Sequence, residues 1–330
     1  MSFFNRRKEM ARVVFNMKPA KGPWGGSSQF VEQMADYLVR RGYGIGFDLS
    51  GNVDAIILID PREDNSLKPF GVADIARFKK DHPRARVLHR VNECDQRKAT
   101  TFMDPLLAEA NKVADYTVFI STWLRDYHAA RWFDASKPHR PIYNGADPAI
   151  YHPIGNAPFK AGETMRLVTH HWSDNPLKGF DIYEEIDNLI AGGELPGFEL
   201  RIIGRWPSSV KWKAARTFPP SSGRELADQL RDCHVYVTAS RWEPCGMHHV
   251  EGAQCGLPLV FHEDGGGIVE AGLKYGVGFH TDVKSALLKA RATYPALRQQ
   301  VLERMPDGEC MCWEYERAIR NLIMDSRHGL

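Results

Sequence analysis

A chain of 330 residues is long for a single hydrophobic core, so two domains of about 150 residues each are the natural expectation. Its 43 Lys and Arg against 41 Asp and Glu leave a net charge of +2, which removes any global electrostatic case for nucleic acid as a partner. Six cysteines without a Cys-x-x-Cys pair, no apolar leader, and no run near the roughly 20 apolar residues of a membrane span point to reduced thiols in a soluble, cytoplasmic protein; loose contact with the inner membrane surface stays open.

The first half alternates strand and helix signals. Ala11–Met17 reads as a strand, the glycine-rich 22–28 as a loop, and 29–41 as a helix with Phe30, Met34, Tyr37 and Leu38 at helical spacing, closed by Gly42. Further strands are expected at 43–49, 53–60, 86–91, 116–121 and 141–143, with helices near 72–80, 105–113 and 122–132. Such alternation calls for a mainly parallel sheet with helices on both faces. Turn formers across Asn144–Pro153 mark a hinge, after which the pattern restarts: strands at 166–171 and 199–203, helices at 180–190 and 223–233. Strand 234–240, strand 257–261, a helix at 268–274 and one long helix at 283–304 complete the second half. The fold class is therefore α/β, with two doubly wound, Rossmann-like sheets facing a cleft.

Between the strands at 234–240 and 257–261 lies Glu243-Pro-Cys-Gly-Met-His-His-Val-Glu251. Glu243 falls in the loop and Glu251 on the helix that follows, at the carboxyl ends of the strands, where open α/β sheets bind ligands. In this setting the chain resembles the retaining glycosyltransferases of the GT-B fold, the family 4 group, whose E-x7-E motif these two carboxylates match. Gly25-Gly26, Ile142-Tyr-Asn-Gly-Ala-Asp147, Lys178-Gly-Phe, Leu200-Arg-Ile-Ile-Gly204, Gly265-Gly-Gly-Ile-Val-Glu270 and Cys312-Trp-Glu resemble further signatures of that family, in the same order. The resemblance implies residues 1–148 as an acceptor domain and 149–311 as a nucleotide-sugar domain, with a last helix, 312–330, crossing back to the first.

It implies transfer of a sugar from a nucleoside-diphosphate sugar to an acceptor hydroxyl with retention, without a metal or other cofactor. Glu243, Lys178 and Arg205 are the catalytic candidates: Glu243 to orient the sugar, the two cations to neutralise the departing diphosphate. Glu251 is expected to accept from both ribose hydroxyls. Gly246, Met247 and His248 would offer backbone donors at a helix amino terminus, while Gly25, Gly26 and Gly266 let backbone approach the donor. His89, Asn92, Glu93 and Trp24 are the acceptor candidates, for a glycan, a lipid-linked or a small-molecule acceptor; a UDP- or GDP-sugar is the favoured donor. The family arginine five residues before the lysine is absent, since position 173 is serine. Either Arg205 or His171 takes over the charge, or the donor is held differently, or catalysis is poor. Two other readings remain: an epimerase on the same fold, and a non-catalytic protein that binds a nucleotide sugar or glycan. The basic, tryptophan-bearing stretch 205–216 reads as a solvated loop with tryptophans packed beneath it. The His170–His171 and His248–His249 pairs fit no zinc spacing.

Overall fold

The computed structural model describes residues 10–20, 26–62 and 66–328. Trp24 and Gly25 lie outside the described residues. Strands β1 (Arg12–Phe15), β2 (Gly44–Gly46), β3 (Ala55–Leu58), β4 (Arg86–Val91), β5 (Tyr116–Phe119) and β6 (His139–Pro141) form one parallel sheet, ordered β2-β1-β3-β4-β5-β6. Strands β7 (Met165–His171), β8 (Phe198–Gly204), β9 (Arg216–Phe218), β10 (Val235–Thr238), β11 (Leu259–His262) and β12 (Gly276–Phe279) form a second, ordered β12-β11-β10-β7-β8-β9. Both are doubly wound. The chain order reverses at β1/β3 in the first sheet and at β7/β10 in the second, and each reversal opens a crevice beyond the carboxyl ends of its strands.

Helices α1 (Gly26–Arg40), α2 (Val72–Asp81), α3 (Asp95–Lys98), α4 (Met103–Asn111) and α5 (Thr122–Ala129) accompany the first sheet. The second carries α6 (Phe180–Ala191), α7 (Gly223–Arg231), α8 (Met247–Gln254), α9 (Gly267–Tyr275), α10 (Val283–Ala292) and α11 (Tyr294–Arg304). The single helix expected over 283–304 is two helices. Pro295 near the start of α11 has no N–H to continue the ladder, so the chain breaks at Thr293. The last helix, α12 (Gly308–His328), starts four residues before Cys312. Its Met311, Cys312, Tyr315, Ile319 and Ile323 join Val13, Phe15, Phe30, Met34 and Ile57 in one apolar cluster of the first domain. Trp313 faces outward at 46 % exposure.

The domains are also packed directly on one another. A shared cluster joins Val91, Leu107, Phe119 and Leu124 of the first to Tyr236, Val250, Leu259 and Ile268 of the second. Polar contacts reinforce it: Asn144 donates to the Cys245 carbonyl at 2.7 Å, Ala146 N to Gln254 Oε1 at 3.1 Å, and Trp123 N, at the start of α5, to Glu270 Oε1 at 2.6 Å. The stretch 205–216 is pinned rather than free. Asp187 on α6 accepts the N–H groups of Lys213, Ala214 and Ala215, while Trp206 and Trp212, edge to face with one another, pack against the second core.

Candidate active site

A cleft of about 1040 Å³ lies between the domains, beyond the carboxyl ends of both sheets. Seven arginines and lysines line it against three carboxylates, a wall suited to an anionic ligand. Its floor on the second side is built at the β7/β10 reversal. There β7 ends in His170-His171, and β10 runs on through Ala239-Ser240 to Glu243.

Glu243 is buried, and its backbone is locked in place. Its N–H donates to the Gly265 carbonyl at 3.2 Å and its own carbonyl accepts from Gly267 N at 2.9 Å. At position 267 a Cβ would lie 1.7 Å from the Pro244 carbonyl oxygen, so only glycine lets the two loops come together. Immediately before Glu243, Trp242 holds φ at 53°, left-handed backbone that a bulky side chain rarely adopts. The carboxylate receives Lys178 Nζ on Oε2 at 2.6 Å and Arg97 Nε on Oε1 at 2.9 Å. Burial alone would push this carboxyl up; the Arg97 and Lys178 charges outweigh it and hold the group well below the ordinary range. Burial, partly offset by Glu243, lowers Lys178.

Lys178 ends a 3-10 turn, Pro176–Lys178, capped by the Asn175 side chain, which accepts Leu177 N at 2.9 Å. Arg205 is exposed on the cleft rim, its guanidinium on the Trp172 carbonyl at 3.0 Å. Ser173 lines the same rim and accepts from Asn175 N at 3.1 Å. Gly246, Met247 and His248 form the amino end of α8 and line the cleft, as does Gly26 at the start of α1. Asn92 and Glu93 are on the opposite wall; Asn92 donates to Ser27 Oγ at 2.8 Å, and Glu93 pairs with Arg97 and Lys98 at 2.9 and 2.8 Å.

Three candidates are not on the cleft wall. His89 is fully buried against Asn111, with Nδ1 3.1 Å from the amide nitrogen, and burial lowers its pKa to about 3. Alternation along β4 turns the next residue, Arg90, to the cleft instead, where it donates to Asn144 Oδ1 at 2.9 Å and lies 4.1 Å over the Phe30 ring. Gly266, at φ 67°, packs against the backbone of Trp242 and Glu243 and supports the loop from behind. Glu251 is fully buried on α8, accepting Gln29 Nε2 of the first domain at 2.9 Å and lying 2.8 Å from His170 Nε2. Its oxygens therefore join the two domains in this arrangement.

Arg97 is the residue that sequence reasoning passed over. It stands on α3, in a segment without apolar periodicity, and reaches both Glu93 and Glu243. Its signal was local: an i,i+4 pair with Glu93 and an aspartate at the helix start.

The four clustered histidines are packed in the core, and His170, His171 and His248 are hydrogen-bonded there. His171 Nε2 meets the Thr169 and Tyr183 hydroxyls at 3.0 Å, and His248 Nε2 meets Thr238 Oγ1 at 3.1 Å; burial holds both rings well below their usual pKa. Among the described residues one group could hold a metal ion: His262, Asp264 and His280, at the ends of β11 and β12 and off the cleft wall. Its His262 Nδ1 already accepts Asp264 N at 3.0 Å.

Residues 188–300, including Glu243 to Glu251, match the family model described as glycosyl transferases group 1. No sequence match is found among curated proteins. Sucrose-phosphate synthase from Thermosynechococcus elongatus superposes over 95% of this chain and 99% of its own, with a TM-score of 0.67 at 14% identity. Alr3699/HepE of Anabaena, solved with UDP-glucose, covers 94% and 100% with a TM-score of 0.67 at 13% identity. The catalytic domain of starch synthase IV from Arabidopsis thaliana, bound to ADP and acarbose, covers 96% and 100% with a TM-score of 0.62 at 12% identity. The fold is GT-B over the 94–96% of the chain that superposes, and the family model over residues 188–300 bears out the resemblance at the level of glycosyl transferases group 1. Among the described residues no helix is long and apolar enough to cross a membrane.

Proposed function

We propose that this chain is a retaining glycosyltransferase that takes a nucleoside-diphosphate sugar as donor and needs no metal in its site. The observation that carries the reading is Glu243: a buried, ionised carboxylate clamped beside Lys178 at the β7/β10 reversal, on a cation-rich cleft. Similar folds solved with UDP-glucose and with ADP support a nucleotide-sugar donor. In this reading the diphosphate meets the amino end of α8 and Lys178, and Glu243 orients the sugar hydroxyls. Among the described residues the other two carboxylates on the cleft wall are held by cations, Glu93 by Arg97 and Lys98 and Asp60 by Arg62, so the reading takes front-face substitution rather than a carboxylate nucleophile. The bond from C1 to the leaving phosphate oxygen breaks with its electron pair on that oxygen, which then takes the proton of the attacking acceptor hydroxyl. Asn92 and Glu93 would line the acceptor side.

A thermal-shift screen of UDP-, GDP-, ADP- and TDP-sugars is expected to single out one nucleotide by a rise in Tm. With that donor, Glu243→Gln is expected to lower turnover by about 100-fold or more. Native-like turnover in that variant would refute the site. A binding protein without turnover is the second reading, favoured by Ser173 and by the engaged oxygens of Glu251. A Tm shift without release of nucleoside diphosphate, with any acceptor or water, would select it.

A further inference from the structure

Lys178 lacks the companion that the resemblance asks for, because Ser173 carries no charge. Neither stand-in named from the sequence fills the gap. Burial, with Lys178 as the next cause, keeps His171 neutral, and its Nε2 is taken by two hydroxyls. Arg205 is exposed and turned to the Trp172 carbonyl.

A guanidinium does stand beside Lys178, and it comes from the opposite domain. Arg97 Nε and Lys178 Nζ bind the two oxygens of one carboxylate, Glu243, at 2.9 and 2.6 Å. We propose that Arg97 is the second cation for the diphosphate of the donor, supplied by the first domain in place of position 173. This rests on the reading of the cleft as a nucleotide-sugar site.

Three further observations support it. The cluster Lys178, Arg97, Lys98, Glu243 and Glu93 holds three cations to two carboxylates, which leaves one positive charge for an anion. Arginine stays charged when buried and presents a planar fork that fits phosphate oxygens. Its mount is stiff: Asp95 accepts Met103 N and Asp104 N at 2.8 and 3.0 Å and returns its own N–H to Asp104 Oδ1 at 2.9 Å, so α3 is clamped to the start of α4. In the transfer step the negative charge that accumulates as C1 leaves the phosphate oxygen is shared by Lys178 and Arg97. Neither gains nor loses a proton. Because the two cations belong to different domains, the charge set is complete only when the cleft is closed.

The test measures release of nucleoside diphosphate from UDP-glucose, ADP-glucose and GDP-mannose, with water as the acceptor, alongside UDP, ADP and GDP affinity by calorimetry. Arg97→Ala is expected to lower kcat by about 100-fold, with a smaller change in donor KM. Adding Ser173→Arg to that variant is expected to restore at least about tenfold of the loss, because it returns a cation to the same phosphate from the other side. A merely structural Arg97 would not be rescued this way, and failure of rescue overturns the proposal. So does Arg97→Ala with native kcat. Should Arg97→Ala fail to fold, Arg97→Gln keeps hydrogen bonding to the carboxylates, removes the charge and carries the same expectation. If the native protein neither binds nor turns over any of these nucleotides, the nucleotide-sugar reading itself falls, which is a different result from a native-like Arg97→Ala.

Discussion

Gly179 sets where Lys178 can be. Its φ is +83°, and a Cβ there would sit 2.3 Å from the Ala239 carbonyl oxygen, on the stretch that leads from β10 to Glu243. Gly179→Ala is therefore expected to cost about 3 kcal/mol and to move Lys178 off Glu243. A urea melt and the donor-release assay check the two effects separately, and an unchanged midpoint would contradict the packing argument. The same scale shows what single residues disclose from sequence. Glu243 and Lys178 are legible because motif spacing places them at strand ends. His89 was misjudged because a strand reading yields the alternation but not its phase, and the cleft takes Arg90 instead. The burial of Glu251 was not legible either, since its partners Gln29 and His170 come from distant parts of the chain.

Helix α12 belongs structurally to the domain that begins the chain. Glu316, buried on it, accepts the hydroxyls of Tyr37 and Tyr43 at 3.0 and 3.4 Å and lies 3.3 Å from Arg41 Nε. Removing residues 308–330 would uncover Phe30, Met34 and Ile57 together and is expected to yield aggregated protein. Glu316→Ala, which strands two buried hydroxyls, is expected to cost about 2–3 kcal/mol by chemical denaturation. A soluble truncated chain with a native melt would refute this assignment. At the level of elements, periodic segments were readable: β4 runs over the expected 86–91, and the ends of α1 and α6 differ from expectation by at most three residues. Three short pieces, α3, β9 and β12, were not. Strands just as short, such as β1 and β10, carry an apolar run, whereas α3 is wholly polar, β9 has only Phe218, and β12 sets Val277 and Phe279 among glycines, so no pattern registers and tertiary contacts hold them in shape. Two of the details that matter most for chemistry, Arg97 and the Asp95 clamp, sit in one of those pieces.

Across the molecule, buried histidines tie stability to pH. Burial lowers His89 to about 3 and His128 and His249 to about 4, from an ordinary value of 6.5. Below pH 6.5 the unfolded chain binds protons that the folded chain refuses, so unfolding free energy must fall as pH falls, by about 1.4 kcal/mol per pH unit for each fully responding group. Glu243 acts in the same direction lower down: its depressed pKa stabilises the fold above about 4.5, and that contribution is lost as acid protonates it. Urea midpoints are expected to be flat near neutrality and to decline from pH 6.5 towards 4. A midpoint that rises on acidification would contradict the burial of these rings.

The return of α12 to the first domain also bears on biosynthesis. The ribosome makes β1 to β6 first, then the whole second domain, and only afterwards the helix that covers the first core. At about 5–20 residues per second, that core stays uncapped for on the order of ten seconds or more while the second domain emerges and folds. The nascent chain thus carries an exposed apolar face of α1 and β1 through most of its synthesis. Chaperones that hold unfinished chains have their natural target there.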